Sequence, residues 1–95
     1  MNNYEVMFII EAALEDDKKE AVVEMVKDVI SAGGEVGKAD IWGMRKLAYP
    51  IEKKNDGYYV VNEFKANPDL PKELDRRLKI SDSIIRHIII NKDEK

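Results

Sequence analysis

Residues 42–51, Trp-Gly-Met-Arg-Lys-Leu-Ala-Tyr-Pro-Ile, set two adjacent cations between a tryptophan and a tyrosine. Ammonium and guanidinium groups neutralise phosphates, and aromatic faces stack on bases or pack against a protein partner. Lys53 and Lys54 add positive charge shortly afterwards. The same residues also admit a plainer reading. Trp42 and Tyr49 serve a core as readily as a stack, and of Arg45 and Lys46, alternating along a strand, at least one faces solvent whatever the function. Arg86 is more pointed. It interrupts an apolar run between Ile85 and Ile88, where a charge needs a specific partner.

Other chemistry lacks its parts. With no cysteine, disulfides and thiolate metal sites are excluded, and an intracellular location is favoured. His87 is the one histidine; set in an apolar strand, it reads as structural or surface rather than catalytic or metal-ligating. Phosphate-cradling glycine motifs are missing, and Gly33-Gly34-x-x-Gly37 follows a helical stretch instead of opening one. The carboxylates fall mostly on exposed helix positions. Nothing assembles a nucleophile, base and orienting group, so the expectation is a non-enzyme without metal, cofactor or small-molecule substrate.

Net charge is −3 over 95 residues, which taken alone opposes phosphate binding. The distribution matters more. Residues 1–34 hold eight acids against three lysines, whereas residues 35–95 hold thirteen bases against eleven acids. The acid surplus sits on one expected helix, leaving room for a local basic patch elsewhere. With 44% apolar and 37% charged residues, the composition is that of a soluble globular chain. No apolar run reaches the roughly 18 residues of a membrane span, and the N-terminus lacks the basic-then-apolar pattern of a secretory signal. The length suits one domain, residues 1–95, with 91–95 a short polar tail.

The elements that must position these residues follow from periodicity. Residues 2–10 alternate as a strand, with Tyr4, Val6, Phe8 and Ile10 on one face and Glu5, Met7 and Ile9 on the other. Residues 15–32 form a helix in which Val22, Val26 and Val29 make a stripe, widened by Val23, Met25 and Ile30. Acids crowd its first turn, and Gly33-Gly34 is expected to end it in a left-handed conformation. Residues 35–66 read as a long hairpin turning at Asn55-Asp56-Gly57. Gly43 implies a bulge in its first arm and Pro50 an edge position. A second helix spans 69–79, capped by Asp69, with Pro71 in its first turn and a Leu70, Leu74, Leu78 core face. Ser81-Asp82 ends it, and residues 84–90 form the last strand.

Strand, helix, strand, strand, helix, strand, with two right-handed crossovers, gives an α+β, ferredoxin-like βαββαβ sandwich. The expected antiparallel sheet has order 4-1-3-2, with both helices on one face. The other face stays open for a ligand or partner. Tyr59 and Val61 should lie there beside Met7 and Ile9, joined by Arg86. Asn62 falls with Val60 and Phe64 on the buried side, where its amide needs partners or a bulge must shift the register.

The run Trp42-Gly-x-Arg-x-Leu-Ala-Tyr-Pro-Ile51 occurs with Asn3-Tyr4-Glu5-Val6, Gly57-Tyr58-Tyr59, Leu74-Asp75-Arg76 and Ser81-Asp82-x-Ile-Ile-Arg86. Together these resemble the bacterial small-subunit ribosomal protein of the sixth type, over roughly residues 2–91. The resemblance implies the same fold and a structural role in the small ribosomal subunit. It also implies binding to the central domain of 16S ribosomal RNA together with small-subunit ribosomal protein eighteen. Such a partner, if basic, can supply much of the phosphate neutralisation. By resemblance and strand geometry, Arg45, Lys46, Lys53, Lys54 and Arg86 are candidate RNA contacts, and Tyr49, Tyr59 and Val61 candidate partner contacts. Strand geometry leaves open an exchange of roles between the two sets. Asn2 and Asn3 stand where family members often carry a base, which weakens an N-terminal phosphate contact.

Two other readings remain. One is a ferredoxin-like module for self-association or small-ligand regulation. The other is a small phosphatase of the same topology, opposed by the loop Glu11-Ala12-Ala13-Leu14, which is acidic and lacks the arginine a phosphate cradle needs.

Overall fold

The computed structural model describes residues 2–51 and 54–93, with the backbone alone for 47–51, 54 and 55. The elements are β1 (Asn2–Glu11), α1 (Asp16–Gly33), β2 (Gly34–Ile51), β3 (Lys54–Ala66), α2 (Asp69–Lys79) and β4 (Ile84–Asn91). The strands form one antiparallel sheet in the order β2-β3-β1-β4. This is the expected ferredoxin-like order read from the opposite edge. No helix among the described residues is long and apolar enough to cross a membrane.

Alternation along β1 sends Tyr4, Val6, Phe8 and Ile10 under the helices, all buried. They meet Val60 and Phe64 of β3, and the rings of Tyr4 and Phe64 stack with centroids 5.4 Å apart. The helical stripe of α1 buries Val23, Val26, Val29 and Ile30, with Val22 and Met25 packed partly against the core. From α2, Leu70, Leu74 and Leu78 close the other side. Burying one such side chain is worth about 1.5–3 kcal/mol, so this shared face holds both helices to the sheet.

Four local expectations give way to tertiary pairing. Gly34 is extended (φ −166°, ψ −157°), so α1 ends without a left-handed residue. Glycine is needed there for close approach, since a Cβ would lie 2.3 Å from the Lys65 carbonyl oxygen of β3. Asn55-Asp56-Gly57 does not form the hairpin turn. Gly57 pairs with Glu11 on one side and Arg45 on the other, and Ile51 pairs with Lys54. Backbone pairing on both sides outweighs the local turn preference. Asp69 does not cap α2. The N-cap is Pro68, and the first turn closes through the Leu70 N–H donating to the Asn67 carbonyl at 3.1 Å. Asp69 instead places its charge in the first turn, where the helix dipole favours it.

Asn62 is the fourth. It pairs with Val6 and Ala39 and is buried at 2% exposure. Its Oδ1 and Nδ2 make no hydrogen bond among the described residues. The bulge between Val36 and Ala39 lies in the neighbouring strand and leaves Asn62 facing the core. Unpaired buried amide groups destabilise a fold by about 1–3 kcal/mol.

His87 is structural, as its setting in an apolar strand implied. It lies on the helix side of β4, opposite Phe8, with Nε2 2.6 Å from Asp75 Oδ1 of α2. An ionised carboxylate only accepts, so Nε2 carries the donated proton. Lys79 reaches the other carboxylate oxygen at 2.9 Å. The His87 hydrogen bond, followed by that of Lys79, holds the Asp75 carboxyl below its ordinary range.

Two outcomes follow. Asn62→Val should raise stability by about 1–2 kcal/mol in urea unfolding; a lower midpoint would show that the amide is satisfied in solution. A carboxyl with a depressed folded-state pKa stabilises fully above the ordinary aspartate range, and that contribution disappears as pH falls through the folded value. Asp75→Asn should therefore destabilise the protein more at about pH 7 than at about pH 3. An equal loss at both would deny the linkage.

Candidate functional site

The face away from the helices is built in cross-strand rows. Tyr59 of β3 pairs with Ile9 of β1, which pairs with Arg86 of β4. In the next row Asp40, Val61, Met7 and Ile88 run from β2 to β4. Beyond it lie Glu63, Glu5 and Ile90. At the hairpin end, Arg45 pairs with Gly57 and Gly57 with Glu11. Side chains two residues apart along a strand share a face, so these rows make one surface.

A bulge decides what β2 adds to it. Ile41 pairs with Val60 on the helix side, yet Gly43 pairs with Tyr59 on the open side, and the register shifts between them. Trp42 and Arg45 are three positions apart, which would put them on opposite faces of a regular strand. The extra residue restores them to the same face. Gly43 allows this with φ +78°, a conformation that strains a residue bearing a Cβ. Trp42 then lies parallel to Tyr59, with ring centroids 6.4 Å apart and planes 4° from parallel.

The centre of the face is apolar and the ends are charged. Ile9 and Val61 are buried among their neighbours, while Trp42, Ile88 and Ile90 stay 45–48% exposed. Met7, Ile9, Tyr59, Arg86, His87 and Ile88 line a shallow hollow of about 200 Å³. Arg45 and Arg86 stand toward the hairpin end. Asp40, Glu5 and Glu63 stand toward the other, where Lys92 donates to Glu63 at 2.6 Å and pulls its carboxyl below the usual range. Exposed apolar side chains grouped beside charges mark an interaction surface rather than a solvated one.

The candidates from the sequence separate accordingly. Tyr59, Val61 and Arg86 come together as expected. Arg45 is exposed on the same face, its Nη1 donating to the Met44 carbonyl at 3.1 Å. Arg86 is exposed and makes a contact within its own chain. Lys46 is exposed but pairs with Asp56 and falls on the helix side of the strand. Tyr49 and Lys54 are placed by backbone alone, and Lys53 lies outside the described residues. Asn3 is tied to the far end of β4, donating from its backbone and side chain to Asp93 at 2.7 and 3.1 Å. Trp42, Ile88 and Ile90 were not singled out for this surface. The last two were within reach, since they share the even alternation of Arg86. Among the described residues no group of acids and histidine is arranged to hold a metal ion.

Comparison with known proteins is consistent over the whole length. The family model described as Ribosomal protein S6 matches residues 3–91. The small ribosomal subunit protein bS6 of Clostridium kluyveri is 51% identical, with all of both chains covered. That of Alkaliphilus metalliredigens is 47% identical, covering 99% of this chain and 100% of the relative. The crystal structure of 30S ribosomal protein S6 from Thermotoga maritima superposes with a TM-score of 0.92 at 34% identity, covering 96% of this chain and 87% of that one.

The bulge gives a direct test of how the face is assembled. A Cβ at Gly43 meets nothing within 4 Å, so Gly43→Ala isolates the backbone term and should destabilise the protein by about 1–2 kcal/mol. The Trp42 fluorescence should change with it, as the ring loses its place beside Tyr59. An unchanged spectrum and midpoint would mean that the bulge does not hold Trp42.

Proposed function

Because this chain belongs to the ribosomal protein S6 family and is a structural, non-enzymatic component of the small ribosomal subunit in the cytoplasm, we propose that it binds the central domain of 16S ribosomal RNA jointly with small-subunit ribosomal protein eighteen. The open sheet face divides the work. Its apolar centre, with Tyr59 and Val61 and with Trp42 and Ile88 beside them, takes the protein partner, with Tyr49 of β2 as a further candidate contact. Arg45 and Arg86, toward the hairpin end of this face, take phosphate, with Lys46, Lys53 and Lys54 as further candidate contacts.

The observation carrying this reading is the separation of charge on one exposed face. Stable protein interfaces have a dry apolar centre and a polar rim, and the rows from Trp42 to Ile88 have that form. RNA contacts need donors, and Arg45 and Arg86 stand at one end, whereas Lys92 at the other is bonded to Glu63. The internal contact of Arg86 does not remove it, because a guanidinium has five N–H donors. The few cations on this face neutralise few phosphates by themselves. A basic partner on the same surface supplies the missing charge, and RNA recognition is then mainly through backbone and shape.

Titration against a central-domain RNA fragment, with and without protein eighteen, tests the reading. Binding should be weak alone and much tighter with the partner. Replacing Arg45 and Lys46 by Ala should lower the salt slope by about one for each phosphate no longer neutralised; an unchanged slope removes them from the RNA site. Tyr59→Ala should reduce the gain from the partner while leaving binding by the chain alone unaltered. Negligible binding in both mixtures, with self-association of the chain, would favour a self-associating module.

A further inference from the structure

On the opposite side of the molecule, α1 and α2 lie on the same sheet but approach closely at one end. A Cβ on Gly33 would be 3.3 Å from Leu70 Cδ1. Beside that contact the helices leave a groove of about 880 Å³ between them, with Gly33 and Leu70 in its lining. Met25, Val29 and Leu70 are among its apolar lining, and Val29 and Leu70 are themselves buried against the core. The groove is therefore a fixed feature of the packing.

Its rim is acidic. Glu24 and Asp28 project from α1, and Asp69 and Glu73 from α2. The one cation lining it, Arg77, bonds to Glu73 at 3.3 Å, and Arg76 meets the same carboxylate at 2.6 Å. Glu24 has only a long contact to Lys27, at 3.8 Å. Asp28 and Asp69 have no ion pair among the described residues. Two full negative charges thus flank an apolar floor, one from each helix.

We propose that this groove docks a basic amphipathic segment of another protein, its apolar side chain seated over Met25, Val29 and Leu70 and its Lys or Arg groups between Asp28 and Asp69. Charge complementarity selects this occupant. RNA is disfavoured, since the rim repels phosphate. A second copy of this chain is disfavoured too, since Arg76, Arg77 and Lys79 of its own amphipathic helix α2 are already bonded to Glu73 and Asp75. The groove and the open sheet face lie on opposite sides of the fold, so both can be filled at once.

The probe is a synthetic peptide with lysines flanking leucines at helical spacing, titrated into the isotopically labelled full chain and followed by NMR. Its control carries glutamate for every lysine. The lysine peptide should shift residues 24–33 and 69–77, and the control should not. Asp28→Asn with Asp69→Asn is nearly isosteric and on the surface; it should weaken binding by about tenfold with unchanged circular dichroism. The proposal is overturned by any of four results: shifts confined to the open face, undiminished binding by the double variant, groove shifts that grow with protein concentration without peptide, or groove shifts on adding an RNA hairpin.

Discussion

β1 is paired along nearly its whole length with β3 on one side and β4 on the other. Neither of its faces is an edge, and each meets a different environment. Tyr4, Val6, Phe8 and Ile10 fill the space under the helices, while Met7 and Ile9 floor the open surface. Because both sets are apolar, hydrophobicity alone would permit a slip by one residue, which exchanges the faces. The acids prevent it. Glu5 and Glu11 share the face of Met7 and Ile9, and a slip would carry both beneath α1 and α2. Burying an unpaired carboxylate outweighs any gain from repacking a methyl group. The register that protects the core is thus the one that presents the docking surface.

The bulge at Trp42 and Gly43 does for β2 what alternation does for β1. Before it, Ile41 faces the helix side; after it, Met44 does, opposite Tyr58. Between them Trp42 is set beside Tyr59, and Arg45 then follows on the same face. An unbroken strand would place either the tryptophan or the arginine behind the sheet. The aromatic centre and the cationic end of the surface therefore depend on one glycine adopting a positive φ, and the composition of the arm matters less than its count of residues.

Much of this was legible in the sequence because period and composition report local structure. The bounds of β1, α1, α2 and β4 to within about a residue, the sheet order, the buried leucines of α2 and the open-face positions of Tyr59, Val61 and Arg86 follow from spacing and topology. What failed depends on neighbours distant in the chain. Gly57 looks like a turn residue until it is placed between β1 and β2, and Gly34 looks like a helix cap until Lys65 is placed against it. Asn62 has a residue type that contradicts its position, and neither resolution offered by the sequence, partners or a register shift at that residue, occurs among the described residues. Gly43 signalled a bulge, but the consequence for Trp42 and Arg45 needed the register of β3. The positions of Ile88 and Ile90 required no more than extending the alternation that placed Arg86.

Net charge is a poor guide to such a molecule for a reason of scale. Its shortest dimension is 22 Å, and at physiological salt interactions between exposed charges are screened within about 8 Å. Carboxylates along α1 are therefore invisible to a phosphate at the hairpin end of the opposite face. Each surface presents only its own charges: cations beside an apolar centre on the sheet, carboxylates around an apolar groove on the helices. Averaging the two into −3 hides both. The acid surplus of the first third of the chain then has a structural meaning, because the crossover through α1 carries most of those acids to the far side, while β2 and β4 present Arg45 and Arg86 on the near one.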